Sequence, residues 1–418
     1  MALEFDPFAP ASWQDPYPTY RRLRDESPVH YSPGSDLYCL SRHDDVVSAL
    51  RQPELFSSAA AFDVLFKQIT ADPGWRDVFE FARFLLTSRV SLSMLTKGPT
   101  ESVITLDPPR HDVLRGIVSR GFTPRRIAGW QPRVAAIVEG CMKKFHSGAP
   151  FDVVHDLAIP VPMEVIADLL GIEPERRLEF KHWSDCIIAG VSSSNRRAAR
   201  RGFLRSMSGL GKYVRRVVEE RRREPREDLI SLLVDDAHGD ALSEQAILQF
   251  VVLLLVAGNE TTTNLIGNAT VALLRHPEQL ERVAADPACV AGLVEETLRY
   301  DAPVHFIMRR ATRDVEVAGQ RIPANARVAL LLAAANRDER RFDAPDRFDV
   351  TRDAKGHVGF GFGLHFCLGA SLARLEATEA LGALVPELSS RQAPVGDVPM
   401  IDSVLVRGPS SLPFRRVA

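Results

Sequence analysis

The pattern of apolar and polar positions predicts a mainly helical chain. The longest helical stretch begins at Ser243-Glu244 and continues to about Arg275, where His276-Pro277 ends it. Its central segment, residues 250–257, is apolar on every side, which predicts a helix that is buried all round. From about residue 125 to 242 the pattern indicates a succession of amphipathic helices.

Short strands are predicted near both ends of the chain. Apolar runs at residues 29–31 and 37–40 are separated by a Pro-Gly turn, and residues 315–332 alternate between apolar and polar positions. Residues 402–406 are expected to form a hairpin. The β-rich parts are therefore expected at about 28–42, 303–332 and 395–415, with a helical remainder.

A polar segment interrupts the apolar centre of the longest predicted helix. This segment is Ala257-Gly258-Asn259-Glu260-Thr261-Thr262. A glycine alone costs a helix interior about 1 kcal/mol, and buried polar groups add to that cost. Such local violations are expected at functional sites.

A second unusual segment lies near the C-terminus. It reads Phe360-Gly361-Phe362-Gly363-Leu364-His365-Phe366-Cys367-Leu368-Gly369 and leads into a predicted helix. The two glycines before His365 allow a sharp turn and a close approach to a flat ligand. Cys367 precedes a helix, whose N–H groups and dipole favour a thiolate, so Cys367 is a candidate metal ligand.

Each of these features has an ordinary alternative when it is taken alone. A cysteine before a helix is more often a small core residue. The glycine spacing does not match a nucleotide-binding fingerprint, because a third glycine is missing. His111 and Arg115, spaced i and i+4, could be a solvated basic pair, and Glu296 with Arg299 could be a surface ion pair worth under about 1 kcal/mol.

Together these segments resemble, in order, the motifs of the cytochrome P-450 family. The string Phe-Gly-x-Gly-x-His-x-Cys-x-Gly is similar to that family's haem-binding signature at every position, and the other motifs extend the resemblance back to residue 107. The resemblance implies a mainly α fold with a small β region, in which haem lies between the long central helix and the cysteine-loop helix. It also implies one domain over residues 1–418, whereas length alone suggests two or three.

The resemblance assigns roles to individual residues. Cys367 would be the axial ligand of haem b (iron protoporphyrin IX), and Glu260 and Thr261 would hold and relay protons in the oxygen-activation motif. The other expected haem-binding residues are His111, Arg115, Arg309 and His365 at the propionates, with Ala257, Gly258, Phe360, Gly361 and Gly369. Glu296, Arg299 and Arg347 would lock the fold behind the cysteine loop.

The implied activity is that of a haem-thiolate monooxygenase. It would hydroxylate, O-dealkylate or epoxidise a substrate with one atom of O₂ and reduce the other atom to water. No flavin or iron–sulfur segment is recognisable in the sequence, so two electrons are expected from a ferredoxin and its reductase. A peroxide-driven enzyme of the same fold and a non-catalytic haem sensor or electron carrier are alternatives, but neither explains the Glu260–Thr261 pair as well.

The substrate is expected to be a lipophilic small molecule, such as a terpenoid, steroid, fatty acyl or polyketide-type compound. A phenylalanine-rich stretch at residues 55–104 favours this class. The expected pocket walls are Val252, Val256, Ala257, Val304, Phe306 and Leu405. An aromatic carboxylic acid is the alternative, because Arg83, Arg89 or His305 could anchor a carboxylate.

Composition and charge limit the partners and the compartment. The chain is 45% hydrophobic and 25% charged, as in an ordinary soluble protein, and its formal net charge of -2 predicts no nucleic-acid partner. The five cysteines are scattered without a CxxC pair, which favours a reduced, cytoplasmic protein. Residues 1–7 show neither a signal sequence nor a membrane span, so a soluble protein of the bacterial type is expected.

Overall fold

The chain forms two compact units. The computed structural model describes residues 3–9, 12, 15–60, 101–192, 196–235, 242–392, 397–403 and 406–416. The first unit comprises Met1–Ser58, Ile127–Pro162 and Thr261–Ala418, and the second comprises Ala59–Arg126 and Met163–Glu260. The expectation of one domain over residues 1–418 stays a prediction.

The described chain is mainly helical, as the sequence pattern predicts. In chain order the α-helices are α1 (Tyr17–Glu26), α2 (His43–Arg51), α3 (Arg110–Ser119), α4 (Pro124–Gly129), α5 (Gln131–His146), α6 (Pro160–Leu169), α7 (Arg177–Ser192), α8 (Arg196–Arg223), α9 (Leu229–Val234), α10 (Glu244–Leu254), α11 (Glu260–Arg275), α12 (Pro277–Ala285), α13 (Cys289–Tyr300), α14 (Leu332–Ala335) and α15 (Ala370–Leu384). The Ser243 hydroxyl caps α10 by accepting a hydrogen bond from the Ala246 N–H at 3.0 Å.

The strands that the structure describes all lie in the first unit. They are β1 (Val29–Ser32), β2 (Leu37–Leu40), β3 (Phe56–Ser57), β4 (Phe151–Asp152), β5 (Ile307–Ala311), β6 (Val315–Val317), β7 (Gln320–Ile322), β8 (Arg327–Leu330), β9 (Arg391–Gln392) and β10 (Pro413–Arg416). The largest sheet has the order β1-β2-β8-β5-β3. β4-β10-β9 and β6-β7 form two smaller sheets.

The largest sheet buries one apolar cluster. β1 and β2 are antiparallel, with Val29 opposite Leu40, and β8 runs parallel to β2. Leu40, Val328 and Leu330 are completely buried, and Leu50 of α2 packs against them. Val328 and Leu330 occupy alternate positions of β8, and Leu40 lies opposite Leu330, so these three residues share one face of the sheet. The strands expected at 29–31 and 37–40 are therefore confirmed.

The predicted C-terminal hairpin is partly described. Met400 bridges Pro409, and Val406 bridges Val304 in an antiparallel arrangement. Residues 404 and 405, which include the predicted pocket residue Leu405, lie outside the described residues. The return of the chain over 400–409 thus agrees with the predicted hairpin, and its tip stays a prediction.

The long central helix is a continuous helical run, Glu244–Arg275, but its expected all-round burial is wrong at the centre. Between α10 and α11 a π-helical turn spans Leu255–Asn259. Ala257 in this turn is exposed. The run is long and apolar enough to cross a membrane, yet 56% of its apolar window is buried inside the protein, as in the core helix of a soluble protein.

A buried ion pair on α13 connects several loops of the first unit. The Arg299 guanidinium donates two hydrogen bonds to the Glu296 carboxylate, at 2.7 and 2.8 Å, and neither side chain is exposed. It also donates to the carbonyls of Asn336 at 3.1 Å, Pro345 at 2.8 Å and Arg347 at 3.3 Å. Because a buried guanidinium requires partners, these loops are held at fixed positions around it.

The predicted role of the Arg347 side chain is wrong. Its side chain is 69% exposed and lies 3.6 Å from Asp349, so only its carbonyl takes part in the buried network. Besides Arg299, the arginine that reaches Glu296 is Arg352, at 3.3 Å. The chain turns between Asp343 and Arg352, and the Arg352 guanidinium donates to the Asp343 carbonyl at 2.6 Å.

Arg299→Ala is expected to destabilise the protein by about 3–5 kcal/mol, because it leaves the buried Glu296 carboxylate without its main counter-charge. The midpoint of urea unfolding and the yield of soluble protein would measure this loss. Arg347→Ala is the matched control, since it removes an exposed arginine at the same network and should change stability by less than about 0.5 kcal/mol. Equal stability of the Arg299 variant and the wild type would contradict the structural role.

Candidate active site

The loop before α15 is folded back on itself. Gly361 and Gly363 have φ values of 70° and 69°, a region that side chains disfavour. A Cβ atom on Gly363 would lie 2.8 Å from the Leu50 carbonyl oxygen, so this position also needs a glycine for space. The Cys367 N–H donates to the Phe360 carbonyl at 3.0 Å and closes the loop.

The fold places Cys367 where a thiolate is stabilised. It is three residues from the first residue of α15, and its carbonyl accepts from the Ala370 N–H at 3.4 Å. The N–H groups and the positive end of this helix dipole favour a negative sulfur. Cys367 is partly exposed, so a ligand can reach its Sγ atom.

The other four cysteines are poorer candidates for a metal ligand. Burial raises the pKa of Cys39 in β2. Desolvation and the neighbouring Asp286 carboxylate raise the pKa of Cys289, whose Sγ donates to Asp286 at 3.7 Å. Both therefore favour the neutral thiol. Cys141 and Cys186 lie within helices α5 and α7 rather than at a helix start.

The surroundings of the cysteine loop are ordered by aromatic and charged groups. The Arg374 guanidinium lies 4.7 Å from the Phe360 ring centroid and donates to Glu295 at 2.6 Å. Burial opposes ionisation of Glu295, but hydrogen bonds from His357 and Arg374 outweigh it and lower its pKa to about 2. Glu295 is thus an anion at neutral pH and fixes Arg374 over the loop.

Two further predicted haem-binding residues belong to the first unit. His365 Nε2 lies 2.9 Å from the Ser58 hydroxyl, which connects the cysteine loop to the turn after β3. Arg309 on β5 is 5% exposed, and its guanidinium donates to the Met308 carbonyl at 2.8 Å. No sequence pattern had pointed to Ser58. The propionate contacts of His365 and Arg309 stay predictions.

His111 and Arg115 lie one turn apart on α3 of the second unit, as their spacing predicts. His111 is completely buried, and its Nδ1 atom lies 2.9 Å from Asp112 Oδ1. Arg115 is partly exposed. The helical spacing is therefore confirmed, and their contacts with haem stay a prediction.

The π turn of the central helix exposes a continuous apolar strip. Val252, Val256 and Gly258 are partly exposed and Ala257 is exposed, whereas Leu255 is buried. A Cβ atom on Gly258 would lie 3.1 Å from Ile166 Cδ1, so a side chain there would be crowded. π turns within α-helices occur frequently at functional sites. An apolar, open face in the middle of a long helix is suited to a flat apolar ligand.

Three consecutive threonines at the start of α11 have different surroundings, because neighbouring helical residues point about 100° apart. Thr261 is partly exposed, next to the partly exposed Glu260. Thr262 is buried and bonds to the carboxyl of Glu376. The Thr263 hydroxyl donates to the Ala158 carbonyl at 2.9 Å. Thr261 is therefore the one of the three threonines that is not buried.

Glu376 is a site residue that sequence reasoning missed. It lies on α15, is 2% exposed, and burial raises its pKa to about 8, although the Thr262 hydrogen bond opposes that rise. The carboxyl is therefore mainly neutral at pH 7 and can donate a proton. An available signal was its position among the buried apolar residues Leu372, Ala377 and Ala380 of the same helix.

The remaining predicted pocket residues are only partly described. Val304 is partly exposed and bridges Val406, the neighbour of Leu405. Phe306 is 6% exposed, and its ring contacts Phe8 edge-on with centroids 5.7 Å apart. Phe306 is thus buried with one ring contact to the N-terminal segment, and its role as a pocket wall stays a prediction.

The candidates for a carboxylate anchor gain no support. Arg83, Arg89 and the phenylalanines of 61–100 lie outside the described residues. His305 is 8% exposed, its Nδ1 atom lies 3.3 Å from the Tyr20 hydroxyl, and burial lowers its pKa. His305 is therefore neutral at pH 7 and offers a substrate carboxylate no positive charge.

The chemistry of the cysteine loop fits a haem group. The first unit supplies a partly exposed cysteine at a helix start, after a turn that requires glycine at 363. A thiolate suits iron.

Known proteins resemble this chain along nearly its whole length. The family model described as Cytochrome P450 matches residues 86–292 and 288–414. The chain is 37% identical over 417 residues to the vitamin D(3) 25-hydroxylase of Pseudonocardia autotrophica, covering 98% of this chain and 96% of that protein.

Solved structures show the same relationship. Cytochrome P450 CYP109Q5 from Chondromyces apiculatus matches with a TM-score of 0.86 and 39% identity, covering 100% of this chain and 99% of that one. CYP109E1 from Bacillus megaterium, solved in complex with corticosterone, matches with a TM-score of 0.81 and 30% identity, covering 96% and 98% of the two chains.

These matches confirm the mainly helical fold and the enzyme class expected from the sequence, and they set aside the non-catalytic sensor or carrier. They also confirm haem with a cysteine thiolate as the cofactor, since that group defines the matched family. The chain belongs to the cytochrome P450 family of haem-thiolate monooxygenases.

Proposed function

We propose that this enzyme oxidises a large, mainly apolar molecule of the steroid or secosteroid class, with Cys367 as the axial thiolate. The observation that supports this most is the position of Cys367, which is partly exposed at the end of a glycine-turned loop and at the start of α15. A haem held by Cys367 would supply the iron at which O₂ is reduced, and a thiolate ligand favours cleavage of the O–O bond.

Cleavage of O₂ needs protons, which the start of α11 can provide. The Thr261 hydroxyl, partly exposed, would hold a proton donor by hydrogen bonding, and Glu260 would exchange protons with solvent. Glu376 adds a neutral carboxyl behind them, bonded to Thr262. The apolar strip around Ala257 would exclude bulk water, so that protons reach the site only through these groups.

The substrate class is supported by the apolar strip and by the relatives. Val252, Val256 and Ala257 present aliphatic surface without a charge. One similar protein is named a vitamin D(3) 25-hydroxylase, and another was solved with corticosterone. Both are bulky, mostly apolar molecules, which such a surface would bind by burial.

The electron donors are proposed to be a ferredoxin and a ferredoxin reductase in the cytoplasm. The activity consumes two electrons for each O₂, and the described residues contain no group of three or more His, Cys, Asp or Glu that could hold a second metal centre. Separate donor proteins would therefore supply the electrons.

Thr261→Ala is expected to keep haem and steroid binding but to divert most reducing equivalents from product to hydrogen peroxide, because the proton donor loses its hydrogen-bonding partner. The measurement is product and peroxide formed per NADH with ferredoxin and its reductase. The compounds tested are steroids and vitamin D₃. Each is used only after it has been found to shift the spin state of the ferric protein.

Thr263→Ala is the matched control for Thr261. Its hydroxyl donates to the Ala158 carbonyl, so its loss should cost about 1 kcal/mol of stability and leave coupling unchanged. Unchanged coupling in the Thr261 variant would contradict the proton role. A spin-state shift of the ferric protein with aromatic acids, and none with any steroid, would overturn the proposed substrate class.

Glu376 is expected to make stability depend on pH. The folded protein keeps this proton up to a pKa of about 8, whereas the unfolded chain releases it near 4.5. Between these values the folded state binds more protons, so the free energy of unfolding falls as pH rises, by up to about 1.4 kcal/mol per pH unit.

The test compares urea unfolding of the wild type and Glu376→Gln across this pH range. The variant lacks the titrating proton, so it should gain stability relative to the wild type as the pH rises. The gain should level off above about pH 8, where Glu376 is ionised in both states of the wild type. A difference that does not change with pH would contradict the raised pKa.

A further inference from the structure

A buried polar cluster lies behind the segment that carries Val304 and Phe306. Its centre is Asp301, which follows α13 and is 9% exposed. Its Oδ1 atom accepts from the Tyr17 hydroxyl at 2.6 Å and from Arg407 Nε at 3.2 Å. Three separate parts of the chain, α1, the end of α13 and the C-terminal return, therefore meet at one carboxylate.

The same carboxylate faces His305. The His305 Nε2 atom lies 3.8 Å from Asp301 Oδ1, and Nδ1 lies 3.3 Å from the Tyr20 hydroxyl. Burial opposes ionisation of Asp301, but the nearby His305 and the Arg407 guanidinium outweigh it and hold its pKa well below the usual value. Asp301 is thus a buried anion whose partner cation, Arg407, has a side chain only 11% exposed.

Main-chain bonds connect this cluster to the two segments in front of it. The Arg407 N–H donates to the Pro303 carbonyl at 2.8 Å, beside the bridge between Val304 and Val406. Asn268 of the central helix donates to the carbonyls of both Asp301, at 2.9 Å, and Arg407, at 3.1 Å. The side-chain pair and these bonds together fix the separation of the two segments.

The fixed separation matters for substrate because Val304, which bridges Val406, is an expected pocket wall. A wall that shifts changes the shape offered to a bulky ligand, whereas a small ligand is insensitive to it. Loss of the buried ion pair between Asp301 and Arg407 would displace the pocket walls, because packed elements transmit displacement.

We propose that Asp301 is a positioning residue for substrate selection: by pairing with Arg407 and Tyr17 it sets the spacing of segments 303–307 and 406–407. The role of these segments in binding rests on the proposed function. Asp301 itself is buried behind them, so it acts through Arg407 and not by touching substrate.

Arg337 provides a control for a general effect of charge. Its guanidinium lies between the rings of Tyr17 and Tyr300, 3.5 and 3.8 Å from their centroids, and contacts Asp346 Oδ1 at 3.2 Å. The Asp346 side chain is 40% exposed, and its carboxylate accepts hydrogen bonds from Arg21 and Arg337 and not from segments 303–307 or 406–407 among the described residues. Asp346→Asn therefore removes one negative charge near the same cluster without loosening the pair at Asp301.

The test uses two ligands that coordinate haem iron through an azole nitrogen and differ in size. Imidazole reports access to the iron alone, and ketoconazole also contacts the pocket walls. In Asp301→Asn the Kd of ketoconazole should rise about tenfold, since a charge-assisted hydrogen bond is worth about 1.5–3 kcal/mol, while the Kd of imidazole stays within about twofold. Asp346→Asn should leave both constants near the wild-type values.

Two further variants keep the result decisive. Tyr17→Phe removes a single hydrogen bond and should raise the Kd of ketoconazole by a smaller factor. It replaces Asp301→Asn in the test if that variant folds poorly. Asp301→Glu should restore part of the affinity, because it keeps the charge. An unchanged ratio of the two Kd values in Asp301→Asn and Tyr17→Phe would overturn the proposal. Because azole binding needs no substrate, this outcome is independent of whether steroids are substrates.

Discussion

The first unit depends on one requirement: the fully buried Arg299 guanidinium must keep all its partners. The Asn336 carbonyl is one of them, and the Asn336 side chain in turn accepts from the Val358 N–H at 2.7 Å. Three residues later the Gly361 N–H donates to the Val358 carbonyl at 2.8 Å, and the loop to Cys367 begins. A chain of hydrogen bonds thus runs from the ion pair to the cysteine loop, which explains how a distant buried charge can determine the position of Cys367.

The central helix meets a second requirement, that chemistry takes place in a dry site which still receives protons. Its apolar turns provide the strip around Ala257, and the π turn lets that strip face outward. The three threonines that follow have different surroundings: the Thr263 hydroxyl donates to the Ala158 carbonyl, Thr262 bonds Glu376, and Thr261 is partly exposed. The buried threonines, which would be costly in a helix interior without partners, are therefore satisfied.

Much of this could be predicted from the sequence because local patterns determine it. The long helix, the strands at 29–31 and 37–40 and the loop to Cys367 follow from periodicity, turn residues and motif spacing. The partners that come from distant parts of the chain could not be predicted: Arg352 in place of the Arg347 side chain, and Glu376 beneath Thr262. These depend on tertiary packing, since each pair is separated by many residues. The π turn was likewise missed: Gly258 and Asn259 mark an interruption of the helical pattern but do not distinguish a π turn from an α-helical one.

The central claim, that Cys367 carries the haem iron, is tested most directly by the absorption spectrum of the reduced protein under carbon monoxide. The wild type and Cys289→Ser should show a strongly red-shifted Soret band of the thiolate type, because the Cys289 thiol donates to Asp286 and the account assigns the ligand to Cys367. Cys367→Ser should lose that band. A thiolate-type band that survives in Cys367→Ser, or disappears in Cys289→Ser, would contradict the account.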